Sequence, residues 1–115
     1  MHELAVTRSI LEIALRNAED EKASRIVSIG VTVGELRNVV EEWMQRYFDY
    51  LSRDTIAAQA RLRVHESPIV FKCPCGEHFV VSREDLARAF SPCCGQQGVV
   101  LVSGNEFYVN DIEVM

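Results

Sequence analysis

No apolar stretch in this chain approaches the ~20 residues that a helix needs to cross a bilayer, so no membrane span is expected. The opening segment from Met1 to Ala18 carries Glu3, Arg8, Glu12 and Arg16. It therefore lacks the uninterrupted apolar run of a signal peptide. Positive charge is scarce as well, with 12 Lys and Arg against 17 Asp and Glu and a formal charge of −5. A phosphate-backbone binder needs clustered Lys and Arg, so no nucleic acid is expected as a partner. Arg61, Arg63 and nearby Lys72 form the one basic concentration, which reads as a solvated strand face. No G-x-S-x-G, H-E-x-x-H or phosphate-loop motif occurs, and the three histidines stand apart. Hydrolase chemistry is left without its usual residues. Internal repeats and low-complexity segments are absent too. These absences point to a cytoplasmic protein whose cysteines are reduced or metal-bound rather than paired as disulfides.

What is present is 115 residues at 48% apolar content, enough for one core, or for one domain with a small satellite. Residues 4–18 have helical spacing, with Leu4, Leu11, Ala14, Leu15 and Ala18 on a stripe that Ile10 and Ile13 widen. Ser24 to Val33 reads as a strand, with Val27, Ile29, Val31 and Val33 on one face and Ser28, Gly30 and Thr32 on the other. Gly34 ends it. Asn38 is placed as an N-cap, with Glu41 completing a capping box. The helix that follows puts Val40, Trp43, Met44, Tyr47, Phe48 and Leu51 on one face, expected to pack on something broad such as a sheet. Ala60, Leu62 and Val64 alternate with Arg61, Arg63 and His65 in a strand with one wet face. Val99 to Val102 and Phe107 to Val114 are two further strands, with Ser103-Gly104-Asn105 as the turn between them. Helix–strand–helix–strand order with late β segments predicts an α+β fold.

Two places carry chemistry. At Met1-His2-Glu3, an α-amine, backbone amides and an imidazole could surround one ion with nitrogen, a set that suits Ni(II) or Cu(II) rather than Mg(II) or Ca(II). Uptake would release protons, because the amine must lose one to bind. A polar residue at this position is otherwise a solvated terminus. The second place is Cys73-Pro74-Cys75-Gly76 and Pro92-Cys93-Cys94-Gly95, two close pairs separated by 17 residues. Close cysteine pairs at such a distance are the pattern of a structural Zn(II) site, which takes four thiolate or imidazole ligands. The spacing is C-x-C and C-C rather than C-x-x-C, and a vicinal pair reaches one metal only with a contorted backbone. His78 is a possible substitute for one thiolate, and His65 is read as a surface residue. Core thiols, or redox use of the pairs as a dithiol or a strained Cys93–Cys94 disulfide, remain the alternatives.

The start M-H-E-L ahead of an amphipathic helix, V-G-E-L at Val33 to Leu36, and an aromatic second helix together resemble the HypA/HybF nickel metallochaperones of [NiFe]-hydrogenase maturation. So do D-T-I-A-A-Q-A-R-L at Asp54 to Leu62, the late cysteine pairs, and the ending G-N-E-F-Y-V-N-D-I-E-V. The resemblance covers essentially the whole chain in order. It implies two helices packed on a small sheet, forming a nickel-binding domain of residues 1–68 plus 104–115. Residues 69–103 would be an inserted zinc-ribbon-like domain. It further implies nickel ligands at Met1, His2 and Glu3, and zinc ligands at Cys73, Cys75, Cys93 and Cys94. The family's zinc motif reads C-x-x-C-G twice. Aligned on Cys75-Gly76 and Cys94-Gly95, its first positions hold Lys72 and Ser91 here, so Cys73 and Cys93 would act from shifted positions. The implied partners are the nickel-handling maturation GTPase and the hydrogenase large-subunit precursor, with urease maturation as a second destination. The chain itself is expected to be a monomer or weak homodimer. The competing readings are a zinc-ribbon interaction module and a thiol redox sensor, neither delivering nickel.

Overall fold

The computed structural model describes residues 3–82, 84 and 100–115. Among them are α1 (Glu3–Asp20), β1 (Ile26–Gly34), a short 3-10 helix (Glu35–Arg37) and α2 (Glu41–Leu51). Then come β2 (Arg61–Ser67), β3 (Ile69–Lys72), β4 (His78–Val81), β5 (Val100–Ser103) and β6 (Phe107–Val114). The strands form two three-stranded sheets, ordered β2-β1-β6 and β4-β3-β5, so the fold is α+β as expected. The chain divides into two units. The first is Met1–Thr32, Val39–His65 and Phe107–Met115; the second is Val33–Asn38 and Glu66–Glu106.

In the first unit, α1 buries Val6, Thr7, Ile10, Leu11, Ala14 and Ala18. These positions recur at three- and four-residue intervals, the period that puts side chains on one helical face. Leu4 and Ile13 lie outside that stripe and are exposed, so the expected face was drawn too wide. The helix stops in a Schellman motif: the Ala23 N–H donates to the Ala18 carbonyl at 2.9 Å and the Lys22 N–H to that of Glu19 at 3.0 Å. Lys22 occupies the left-handed position usually given to glycine, at φ 55°. The second helix packs on α1. Its buried side chains are Met44 and Phe48, one turn apart. Trp43, expected in the core, is 46% exposed and lies under the Arg46 guanidinium, 5.3 Å from the ring centre. Gln45 ties α2 to the start of β2, its Oε1 accepting from the Leu62 N–H at 2.9 Å and its Nε2 donating to the Ala60 carbonyl at 3.2 Å.

The central strand β1 is buried from Ser28 to Gly34, because it has a neighbour on each side and both of its faces are covered. At its start the order is reversed from expectation, with Ile26 buried and Val27 exposed. Ser28 donates to Glu113, and Thr32 to Asn110 at 3.0 Å. Partner numbers fall as β1 advances, so β6 runs antiparallel to it. Arg63 donates through Nε to Ser28 at 3.0 Å and through Nη2 to Asp111 at 2.5 Å. Gly30 makes room for this pair, since a Cβ there would strike the Asp111 carboxylate. The exposed, alternating Arg61, Arg63 and His65 match the wet strand face read from sequence.

In the second unit β3 pairs antiparallel with both β4 and β5, which places Phe71 opposite Phe79 on one side and Leu101 on the other. Ile69 and Val81 face each other and are both buried. The expected turn at Ser103-Gly104-Asn105 does not join a hairpin, because β5 and β6 belong to different sheets. Gly104 instead adopts φ +114° and packs backbone to backbone on Gly34, where a Cβ would overlap the Gly104 carbonyl. The Gly34 N–H donates to the Glu106 carbonyl at 2.7 Å and the Leu36 N–H to that of Gly104 at 2.8 Å. Asn38 is not an N-cap. At φ 51° it closes the 3-10 helix, and α2 begins after Val40 with no side-chain cap.

Candidate metal centre

Met1 and His2 lie outside the described residues, and Glu3 is the first residue of α1. The first four N–H groups of a helix have no intrahelical acceptor. The Glu3 amide is thus one that the helix does not consume, immediately after the histidine.

The first cysteine pair sits in the turn between β3 and β4. The Cys73 N–H donates to the Glu77 carbonyl at 2.7 Å, and the Gly76 N–H to that of Cys73 at 2.8 Å. Gly76 takes φ +102° with open space where a Cβ would be, so glycine serves the backbone conformation here, not a tight contact. The turn brings Cys73 Sγ to 2.8 Å from Cys75 Sγ. That distance exceeds a covalent S–S bond of about 2.05 Å. The Cys75 N–H also points at Cys73 Sγ, at 3.3 Å. Despite the shortened spacing, the shifted Cys73 therefore meets Cys75, while Lys72 ends β3 opposite His78. Cys73 is buried and Cys75 exposed.

His78 is exposed at the start of β4, and His65 is exposed on β2. Cys93 and Cys94 lie outside the described residues. Among the described residues no three His, Cys, Asp or Glu side chains converge as a metal group. Two sulfurs on one turn, with an amide N–H directed at one of them, nevertheless suit a soft, thiolate-preferring cation. The donor types of the described half suit zinc; two thiolates about 2.3 Å from a tetrahedral ion stand about 3.8 Å apart, so these sulfurs would have to separate from 2.8 Å to hold it. An open cleft of about 710 Å³ lies in the first unit, lined by Gln45, Asp49, Arg53, Asp54, Gln59 and Arg61 among others. It holds charges of both signs and no sulfur or imidazole, so it does not compete as a metal site.

Sequence reading missed one polar centre. The Glu106 carboxylate accepts from the Gly104 N–H at 2.6 Å and from Ser67 Oγ at 2.9 Å. The Gly104 hydrogen bond, followed by those from its own N–H, from Ser67 and from Asn105, holds it below the ordinary carboxylate range against a smaller opposing effect of burial. Only the glycine two positions earlier could have signalled it.

Residues 1–114 match a family described as HypA, hydrogenase/urease nickel incorporation, metallochaperone. A hydrogenase maturation factor HypA of Dehalococcoides mccartyi is 36% identical over 115 residues, covering 99% of this chain and 94% of that protein. One from Caldanaerobacter subterraneus is 36% identical over 116 residues, covering 99% of each. The fold also matches the solution structure of the Ni metallochaperone HypA from Helicobacter pylori, with a TM-score of 0.67 at 20% identity over 100% of this chain and 98% of that one.

Proposed function

The chain belongs to the HypA family of nickel-incorporation metallochaperones, and on that premise we propose that it carries Ni(II) at Met1, His2 and Glu3 and delivers it during [NiFe]-hydrogenase maturation. The observation behind this reading is the whole-chain family match combined with an intact Met1-His2-Glu3. With Met1 as first residue, its amine, the His2 amide and imidazole, and Glu3 through its amide or carboxylate supply the donors. Nickel is the cargo, so the site must exchange its ligands. Ligands at the very start of a helix, where N–H groups are left without acceptors, meet that need better than a closed cage. The protein is a carrier rather than an enzyme. It works in the cytoplasm with the maturation GTPase and the large-subunit precursor, and urease is a second possible recipient.

Zinc is the resident metal in this reading, held by Cys73, Cys75, Cys93 and Cys94. When bound, it would cross-link the turn after β3 to the later cysteine pair. The chain's own contribution at the described end is the turn that sets Cys73 and Cys75 side by side and directs an amide at sulfur. Domain roles follow: residues 1–68 plus 104–115 for nickel and 69–103 for zinc.

Titration of Ni(II) into untagged protein tests the nickel site. Loss of binding is expected in His2→Ala and in a chain extended by one residue before Met1. Equal binding by His2→Ala and wild type would defeat the proposal and favour a zinc-ribbon interaction module.

A further inference from the structure

We propose that the Cys73–Cys75 turn is an oxidation site, at which a peroxide closes the pair into a disulfide within the turn. Four features of the turn converge on this chemistry. Cys75 is exposed, so an oxidant in solution reaches it, while Cys73 is 2% exposed and sheltered as its neighbour. The two sulfurs already lie 2.8 Å apart, and forming a bond asks them to approach only to about 2.05 Å. The Cys75 N–H points at Cys73 Sγ, at 3.3 Å, which keeps that sulfur on the side of the turn where Cys75 stands. The turn is also fixed in place by the two backbone hydrogen bonds from Cys73 and Gly76, and Pro74 between the cysteines restricts its own φ.

The reaction balances without further components. The Cys75 thiolate attacks one oxygen of hydrogen peroxide, the O–O bond breaks, and a sulfenic acid and hydroxide form. The Cys73 thiolate attacks the sulfenic sulfur, the S–O bond breaks, and a second hydroxide leaves as the S–S bond forms. The two thiol protons convert both hydroxides to water. Two thiols lose two electrons, and one peroxide is reduced to two waters.

A disulfide presents no thiolate to a metal. Resting here on the zinc reading above, bound zinc should protect the pair, and oxidation of the metal-free protein should block reloading. The pair can be followed separately from Cys93 and Cys94, because cleavage after Lys72 and at the next basic residue, Arg83, yields a peptide holding only Cys73 and Cys75.

The experiment treats the full chain, metal-free and zinc-loaded, with hydrogen peroxide, alkylates it and weighs that peptide. The metal-free sample should lose two hydrogens in this peptide, resist alkylation there, and recover with a reductant. Zinc loading should slow the change at least several-fold. In Cys73→Ser, Cys75 should stop at a sulfenic acid that dimedone traps; Cys75→Ser should leave the peptide unoxidised. Two alkylatable thiols after treatment of metal-free wild type, overoxidised Cys75 without a closed loop, or linkage to the Cys93–Cys94 peptide would each overturn the proposal. Loop closure in a protein that takes up no zinc would sink the zinc reading alone. Zinc uptake without loop closure would sink only this one.

Discussion

In the first unit Phe48, Ile10, Ile26, Ile29, Met44 and Val31 are all fully buried, whereas the comparable large side chains of the second unit, among the described residues, are Ile69 and Cys73. The second unit also exposes Val80, Val100, Leu101 and Val102 on its short strands. The first unit therefore has an apolar core of its own, built where α1, α2 and β1 supply branched and aromatic side chains at matched intervals. Among the described residues the second has the facing pair Ile69 and Val81, with Val33 also buried, beside the stacked Phe71 and Phe79 rings with centres 6.1 Å apart. Small units of this size ordinarily draw on a staple such as a disulfide or a metal. Among the described residues of this unit, Cys73 is buried at 2% exposure. In the proposed function this difference assigns metal two roles, a cargo that the first unit would fold without and a structural ion that the second would need.

Removing the proposed structural metal should break that comparison open with the largest effect. Binding by structural zinc sites in small peptides is worth about 10–16 kcal/mol at neutral pH, and that free energy is coupled to folding. Stripping with a strong chelator should therefore abolish slow amide exchange at Phe71 and Phe79 while leaving the amides of Ile29 and Val31 protected. Hydrogen exchange read by NMR reports both sets at once. Unchanged protection at Phe71 in metal-free protein would show that the second unit stands on its own contacts.

The reverse experiment targets the first unit. Phe48 is completely buried, and truncating such a ring to alanine costs about 3–5 kcal/mol through lost burial and the cavity left behind. Urea unfolding of Phe48→Ala should register that loss in the first unit, with zinc content unchanged. A cost below about 1 kcal/mol would mean that the site collapses freely, and the contrast between the units would lose its footing.

Periodicity made much of the first unit legible. Helix α1, the pair Met44 and Phe48, and the alternation of Arg61 to His65 all follow repeats that burial imposes on one face. Where a residue type serves two geometries, the local pattern was insufficient. Asn38 suits an N-cap and equally a left-handed residue, and the three-dimensional structure uses it for the second. Strands β3 and β4 have four residues each, too short for alternation to declare itself beside a cysteine motif. The pairing of β5 with β3 rather than β6 depends on contacts distant in sequence, and Ser103-Gly104-Asn105 carries an ordinary hairpin signature. Of the candidate site, the nearness of Cys73 and Cys75 could be read from their spacing, but the direction of the Cys75 amide could not. Gly34 was legible as a strand end, yet its necessity comes from Gly104, 70 residues later in the sequence.

The smallest expected effect concerns acid, and it sharpens the comparison by locating it in the second unit. Glu106 is held below the ordinary carboxylate range chiefly by the Gly104 N–H. A carboxylate whose folded pKa is depressed binds fewer protons folded than unfolded in the window between its two pKa values. Its contribution to stability is complete above the unfolded value, about 4.3 for glutamate, and is lost as pH falls through the lower folded value. The side chain is only half-buried, so solvent screens the interaction and the contribution is modest. Glu106→Gln keeps a carbonyl oxygen that can accept from Gly104 but cannot titrate. Stability measured from pH 6 down to pH 3 should therefore fall less steeply in this variant than in wild type, with the difference arising below about pH 4.3. Because protons also compete for any metal that the cysteines hold, the comparison is made in metal-loaded protein as the difference between the variant and wild type, in which that shared effect cancels, read at the Leu36 amide that bonds Gly104. Parallel pH profiles for the two proteins would show that the Gly104 contact fixes the turn without storing any acid sensitivity there.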